Sequence, residues 1–208
     1  HLPQATEPLE VNINLPGLHN VRNALGAIAV AWEIGLEVDR VVDCLRQFKG
    51  VGRRFADIGT LSISKGQVTA LEDYGHHPAE LEATITAARQ GWPENRIVAV
   101  FQPHRYTRTA RLFDDFSRVL SEADVVVLTD IYSAGEDAIE GIDSAALCHS
   151  IRARGKVAPV LIPHVTELTH SLPDLLQDGD LVILMGAGSI EKVARELRDS
   201  GFSMEQAA

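Results

Sequence analysis

The chain has 208 residues, of which 45% are apolar and 23% charged, the balance of a globular protein of one large domain or slightly more. A formal net charge of −10 argues against a broad nucleic-acid or anionic-membrane surface and leaves room only for a local basic pocket. No apolar run reaches transmembrane length and no signal peptide opens the chain, so a cytoplasmic, reducing compartment is expected.

Residues 9–15 alternate apolar and polar, the period of a half-buried strand, and Pro16-Gly17 turns it. A helix is expected over 21–34, with apolar positions 21, 24, 25, 28, 31 and 32 and a stop at Gly35. A second helix is expected over 38–48. The two cysteines, Cys44 and Cys148, fall in apolar-periodic stretches and are expected as buried free thiols. Residues 49–55 then place two glycines and three cations together, which reads as a hinge and sets a domain boundary: 1–50 and 51–208. His1 at the start, in place of Met, suggests a fragment or a processed chain.

Beyond the hinge, strands and helices alternate. Strands over 60–64 and 68–71 flank Lys65-Gly66, a hairpin signal. Helices are expected over 79–91, 109–121, 143–154, 165–176 and 188–200. Between them lie continuous apolar strands over 96–101, 125–128, 160–162 and 181–184. This pattern predicts an α/β fold, a mostly parallel sheet with helices on both faces and an antiparallel edge hairpin. A short strand-plus-two-helix segment precedes it.

Four stretches carry chemistry that packing does not require. His19, Asn20 and Asn23 sit at the start of the first helix; Asn20 as an N-cap would explain them, and so would an amide pairing with the edge of adenine. Arg53-Arg54 reads either as solvated linker charge or as a cation that meets a nucleotide when two domains close. Asp73, Tyr74, His76 and His77 lie where a strand ends and a helix begins, with Pro78 suited to the first helical turn. Arg105 and Arg108 follow another strand end, three residues apart, so that on a helical turn they would share a face and present two guanidinium forks to a carboxylate or phosphate. The glycines of 186–190 match a dinucleotide fingerprint only weakly and are expected to permit a tight turn and close helix–strand approach. No GxxxxGK[ST] phosphate loop and no convincing metal constellation occur in the sequence.

The motifs LPGLHNVRNAL (15–25), GVGRRF (50–55), DYGHHP (73–78), FQPHRYTRT (101–109) and GAGSI (186–190) occur in this order over nearly the whole chain. Together they resemble the back half of a Mur ligase of peptidoglycan synthesis, in particular the branch that adds L-alanine to UDP-N-acetylmuramate. One departure is Glu72, where the family often has Asp; the acid is kept. The resemblance implies a Rossmann-like carboxy-terminal domain over 51–208, preceded by the tail of a central ATPase domain. It implies ATP-dependent formation of an acyl phosphate, attack on it by the alanine amine, and Mg2+ held by residues outside this stretch. It places His19, Asn20 and Asn23 at adenine and brings Arg54 and Asp73 to the nucleotide. Tyr74, His76, Arg105 and Arg108 would surround alanine and the acyl centre, the last three as catalytic groups. Two alternatives remain open on the residues alone: a ligase that recycles a whole peptide onto UDP-N-acetylmuramate, whose equivalent of Tyr74-Gly75 looks more like Phe-Ala, and a non-catalytic nucleotide-binding α/β module.

Overall fold

The computed structural model describes residues 8–48 and 50–202, so Lys49 of the expected hinge lies outside the described residues. The chain divides into two compact units, His1–Val51 and Gly52–Ala208.

The first unit is a helix pair, α1 (Leu18–Glu33) and α2 (Val38–Gln47). Residues 9–15 do alternate half-buried with exposed, as their sequence predicts, but they form no strand. A strand exists only against a partner that takes up its N–H and C=O groups, and no described segment of this unit supplies one. Instead the Asn14 amide ties the segment to the end of α2, donating to the Arg46 carbonyl at 2.6 Å. α1 starts three residues earlier than its periodicity indicates, at a Gly17 N-cap with φ 98, and Gly35 (φ 80) follows its end. It buries Ala24, Ile28 and Ala31, spaced four and three apart, while Leu18, Leu25 and Val30 are exposed. Cys44, expected to be buried, is exposed: on α2 the buried position is Val42, and a residue two further on turns to another face.

The second unit is a six-stranded sheet in the order β1-β2-β6-β3-β4-β5. β1 (Ala56–Ile63) and β2 (Gly66–Asp73) form the antiparallel edge hairpin, with a bulge between Asp57 and Gly59. β2, β6 (Leu181–Met185), β3 (Ile97–Phe101), β4 (Val125–Leu128) and β5 (Val160–Leu161) run parallel. Every residue of β3 and β6 is buried, the signature of strands covered on both faces. Alternate residues feed two cores. Ile97, Ala99 and Phe101 point to one, with Leu81 and Ile85 of α3 (Pro78–Gly91), Phe116 and Leu120, and Leu147 and Ile151 of α6 (Ser144–Ala153). Val98 and Val100 point to the other, with Leu168 and with Val193 and Leu197 of α8 (Ile190–Ser200).

Two expected helices are broken. The one over 109–121 starts early and divides into α4 (Tyr106–Arg111) and α5 (Phe113–Leu120), with Leu112 at φ −118, ψ 23 between them. The apolar period runs straight through this break, so periodicity alone does not register it. The one over 165–176 is a 3₁₀ turn at Val165–Glu167, α7 (Leu168–Ser171) and a second 3₁₀ turn at Pro173–Leu175. Pro173 has no N–H to continue the ladder and sits at the start of its own turn. Among the described residues, no helix is long and apolar enough to cross a membrane.

Candidate active site

The sheet brings four chain ends to one edge. Asp73 of β2 and Phe101 of β3 both stand in register with Met185 of β6, and Phe101 with Leu128 of β4. The loops that leave these positions therefore meet in one crevice at the carboxyl ends of parallel strands, where open α/β sheets bind ligands.

Asp73 does not face that crevice. It is buried, with Oδ2 accepting from Phe55 N at 2.8 Å and Oδ1 from Gly75 N at 2.7 Å. Burial pushes its carboxyl above the usual range, against the pull of these donors, Thr84 and Arg54. Each oxygen thus takes one loop N–H, which makes Asp73 a brace for the loop whatever else it contacts. A Cβ on Gly75 would fall 2.6 Å from Asp73 Oδ1, which explains why this position has none.

Around this anchor the loop presents a row of rings and cations. Tyr74 N donates to Arg53 O at 2.6 Å, and the guanidinium carbons of Arg53 and Arg54 lie 4.8 and 5.3 Å from the Tyr74 ring centre. The two arginines differ. Arg53, at φ 61, is pinned on three sides: Nε to buried Glu72 at 2.8 Å, Nη2 to Gly186 O at 3.2 Å and Nη1 to Glu191 at 2.9 Å. Arg198 approaches the other Glu72 oxygen at 3.3 Å. Arg54 is exposed, with one long contact to Glu80 at 3.4 Å. Arg53 is thus held within the fold, and Arg54 is left exposed at its surface.

Glu80 closes a capping box at the start of α3 with His77, and its Oε2 accepts from both His76 N (2.9 Å) and His77 N (3.1 Å). Burial raises its carboxyl pKa, but the His76 N–H, the nearby imidazole and Arg54 outweigh it and leave it below the usual range.

The two imidazoles have opposite polarity. His76 Nδ1 lies 3.0 Å from the Tyr74 carbonyl, which can only accept, so Nδ1 carries a proton and in the neutral ring Nε2 keeps the lone pair. His104 Nδ1 lies 3.2 Å from Arg108 Nη1, which can only donate, so in the neutral ring Nε2 carries the proton. The ring centres are 5.7 Å apart. A base and a donor thus stand side by side.

Arg105 and Arg108 are not the helical pair their spacing suggests. Arg105 is the N-cap of α4 at φ 72, held there by its N–H to Tyr132 O (2.8 Å) and by Thr109 Oγ1 to its own carbonyl (2.9 Å). A non-glycine residue at positive φ costs about 1–3 kcal/mol and gathers at functional sites. Its exposed guanidinium has no hydrogen-bond partner among the described residues, whereas Arg108 spends Nη1 on His104, binding its carbonyl at 3.2 Å as well as its ring. What unites the two arginines is His104. Burial, then the charge of Arg108, then His76 and Arg105 hold its pKa below the ordinary value.

That shift has a measurable consequence. Because the folded imidazole resists protonation more than the unfolded one, the folded state binds fewer protons as pH drops. Stability contributed by neutral His104 is present above the unfolded value near 6.5 and is lost as pH falls below it. Ring-proton NMR titration should place the His104 midpoint below that of the denatured chain; a midpoint at or above it would contradict the geometry.

Three contributors were not singled out in the sequence: His104, Gln102 and Tyr132. Gln102 is buried and caps α8, its Oε1 accepting from Ile190 N and its Nε2 donating to Ser189 Oγ, both at 3.0 Å. The glycine turn makes this approach fit: at Gly186 (φ 146) a Cβ would lie 2.9 Å from Gln102 O. Gln102 and His104 stand inside the FQPHRYTRT stretch, so that motif was the available signal; Tyr132 lies in the loop after β4 and had none beyond an aromatic residue near glycine. In the first unit, Asn20 is inside α1 rather than at its N-cap, and its Nδ2 donates back to Pro16 O at 2.7 Å. His19 is half-buried, and Asn23 is exposed with no side-chain hydrogen bond among the described residues.

The "Mur ligase, glutamate ligase domain" model matches residues 53–188. UDP-N-acetylmuramate–L-alanine ligase of Xanthomonas euvesicatoria is 50% identical over 207 residues, covering 99% of this chain and 43% of the relative. Its namesake from Stenotrophomonas maltophilia is 51% identical over 205 residues, covering 98% and 43%. The chain therefore spans less than half the length of these relatives. Among solved structures, UDP-N-acetylmuramate–alanine ligase of Thermotoga maritima aligns with a TM-score of 0.72 at 28% identity, over 92% of this chain and 40% of that one. A murein peptide ligase from Psychrobacter arcticus shares the fold at 0.69 and 23% identity, over 94% and 39%. The chain belongs to the Mur ligase family.

Proposed function

We propose that these residues are the carboxy-terminal part of an ATP-dependent ligase that joins L-alanine to UDP-N-acetylmuramate through an acyl phosphate in peptidoglycan synthesis. The observation that carries this reading is the crevice itself: a histidine with a free Nε2 lone pair, a histidine with an Nε2 proton, and two guanidiniums on one strand edge. A zwitterionic amino acid needs all of these. Arg105 and Arg108 take the carboxylate, where forked donors are strongest. His76 Nε2 accepts a proton from the ammonium, leaving a nucleophilic amine. The Nε2 proton of His104 and the arginine charges offset negative charge as it develops on the tetrahedral oxygens. Tyr74 closes the alanine site under Arg53 and Arg54.

ATP, when bound, supplies the phosphoryl group that activates the muramoyl carboxylate. The exposed amide of Asn23 can offer a donor and an acceptor to the adenine edge, beside His19 and the Oδ1 of Asn20, within a first unit read as the tail of the ATPase domain. Arg54, exposed beside Tyr74, is assigned to the nucleotide. Mg2+, on this reading, is held with the ATP phosphates by residues outside this stretch. The two named relatives add alanine, which weighs against the peptide-recycling reading.

The test is phosphate release by the full-length enzyme with ATP, UDP-N-acetylmuramate and either L-alanine or a peptide. Release that depends on L-alanine is expected; release with the peptide alone supports recycling, and none with either supports a non-catalytic module. Residues 1–208 alone should neither ligate nor hydrolyse ATP, because phosphoryl transfer needs a phosphate cradle and a metal that this sequence does not contain. Turnover that scales with the pure 208-residue chain would overturn this.

A further inference from the structure

We infer that Tyr132 is the wall that limits the amine substrate to a methyl side chain, and that it borders a cleft able to take a longer polar side chain. This inference rests on the alanine reading above. The backbone of Tyr132 is sewn to the loop after β3: its N–H donates to Pro103 O and its carbonyl accepts from Arg105 N, both at 2.8 Å, with a parallel bridge to His104. Its ring stacks on the His104 ring, with centres 5.4 Å apart and planes 19° from parallel. The side chain is also wedged against the glycine turn before α8. A Cβ on Gly188 would fall 2.7–2.8 Å from Tyr132 Cγ and Cβ, so this glycine makes room for the tyrosine. The ring, 40% exposed, is supported by an imidazole on one face and by the glycine seat at its base.

Tyr132 also borders an open cleft of about 410 Å3. Its lining is mixed, with Gln102, Asp130, His164, Thr166 and Ser189 beside the apolar Ile131, Pro163 and Val165, and none of His76, His104, Arg105 or Arg108 contributes. Tyr132 is thus common to two compartments: the one that holds the charged ends of the amino acid, and one with hydroxyl, carboxylate and imidazole groups in its lining. An amino acid held by its carboxylate at the arginines and its amine at His76 meets the aromatic wall with its side chain. Alanine fits in front of the wall. A longer polar side chain, such as that of L-glutamine, would have to pass it, and in the cleft would find donors and acceptors to replace water.

The experiment compares kcat/KM for L-glutamine, L-valine and L-alanine in the full-length enzyme, for wild type, Tyr132→Ala, Tyr132→Leu and Tyr132→Phe, with thermal melting of each. Opening the wall should raise the glutamine-to-alanine ratio by at least about tenfold, the discrimination that pocket shape ordinarily supplies. Valine, which gains no polar partners, should rise less. Tyr132→Phe, which keeps the ring, should restore the wild-type ratio. Tyr132→Leu, which keeps apolar bulk on Gly188 but lacks the reach of the ring, should shift the ratio in the same direction as alanine and serves where Tyr132→Ala does not fold. A ratio unchanged in the folded variants, or raised equally by Tyr132→Phe, overturns the inference. Wild-type enzyme that does not ligate L-alanine at all overturns the functional reading instead, and this inference with it.

Discussion

Arg108→Ala in the full-length enzyme is expected to lower kcat/KM for L-alanine by about 30- to 1,000-fold, while kcat/KM for ATP falls less and the melting temperature barely moves. The range corresponds to about 2–4 kcal/mol, the cost of removing a charge-paired or oxyanion-stabilising donor from a binding crevice. The structure gives this variant a second effect. Arg108 donates to the ring and carbonyl of His104 and is the largest charge holding its pKa down. Its loss should let the His104 titration midpoint rise and free the Nδ1 lone pair, so that the ring no longer has a fixed tautomer. Arg108→Lys restores a charge but not a fork that can hold both His104 and a carboxylate, so its recovery should be partial. Steady-state kinetics with alanine and ATP varied separately, together with histidine NMR, separate these effects. If both variants keep wild-type kcat/KM for alanine, Arg108 is a solvated charge at a helix start and the amino acid binds elsewhere.

Asp73→Ala should cost about 2–6 kcal/mol of folding stability, roughly 1–3 for each of the two buried backbone N–H groups, Phe55 and Gly75, left without an acceptor. The loss should be large because those donors belong to a strained turn: Arg53 and Phe55 both have positive φ, at 61° and 49°, and Asp73 is what holds the second in place. Urea denaturation of the chain measures it. The result also decides between two roles for this carboxylate. A marked stability loss, with nucleotide affinity falling only as the fold falls, is the outcome expected of an internal brace. Unchanged stability with a collapse in nucleotide affinity would return Asp73 to direct contact with the nucleotide.

These two residues also mark how far the sequence can be read. The alternation of continuous apolar strands with helices was enough to predict the parallel sheet and its edge hairpin, because buried strands such as β3 and β6 leave no other place for such runs. It was enough to put the loops after residues 73 and 101 at one edge. What it could not reach was orientation. Asp73 and Tyr74 are neighbours in sequence, yet one turns into the core and the other toward the cations. Arg105 and Arg108 have the spacing of a helical face, but the helix begins only after Arg105. Tyr132 comes to His104 through a strand pairing between segments far apart in the chain, which no local pattern records. The strand expected over 9–15 failed for the complementary reason: the pattern of a strand was there, and the partner was not.

The position of β6 has a consequence for how the protein is made. Among the described residues it is the last strand in chain order, yet it lies between β2 and β3 and bonds to both. Without residues 181–185 in place, β2 and β3 have no shared neighbour, and the register that sets Asp73 beside Phe101 does not exist. The β1–β2 hairpin and the β3–β4 pair can form early, but as two pieces with bare apolar edges, the kind of partly assembled species prone to non-native pairing. The crevice is therefore complete only when β6 has inserted between these two halves, which makes one central strand the tie between the loop that carries His76 and the loop that carries His104.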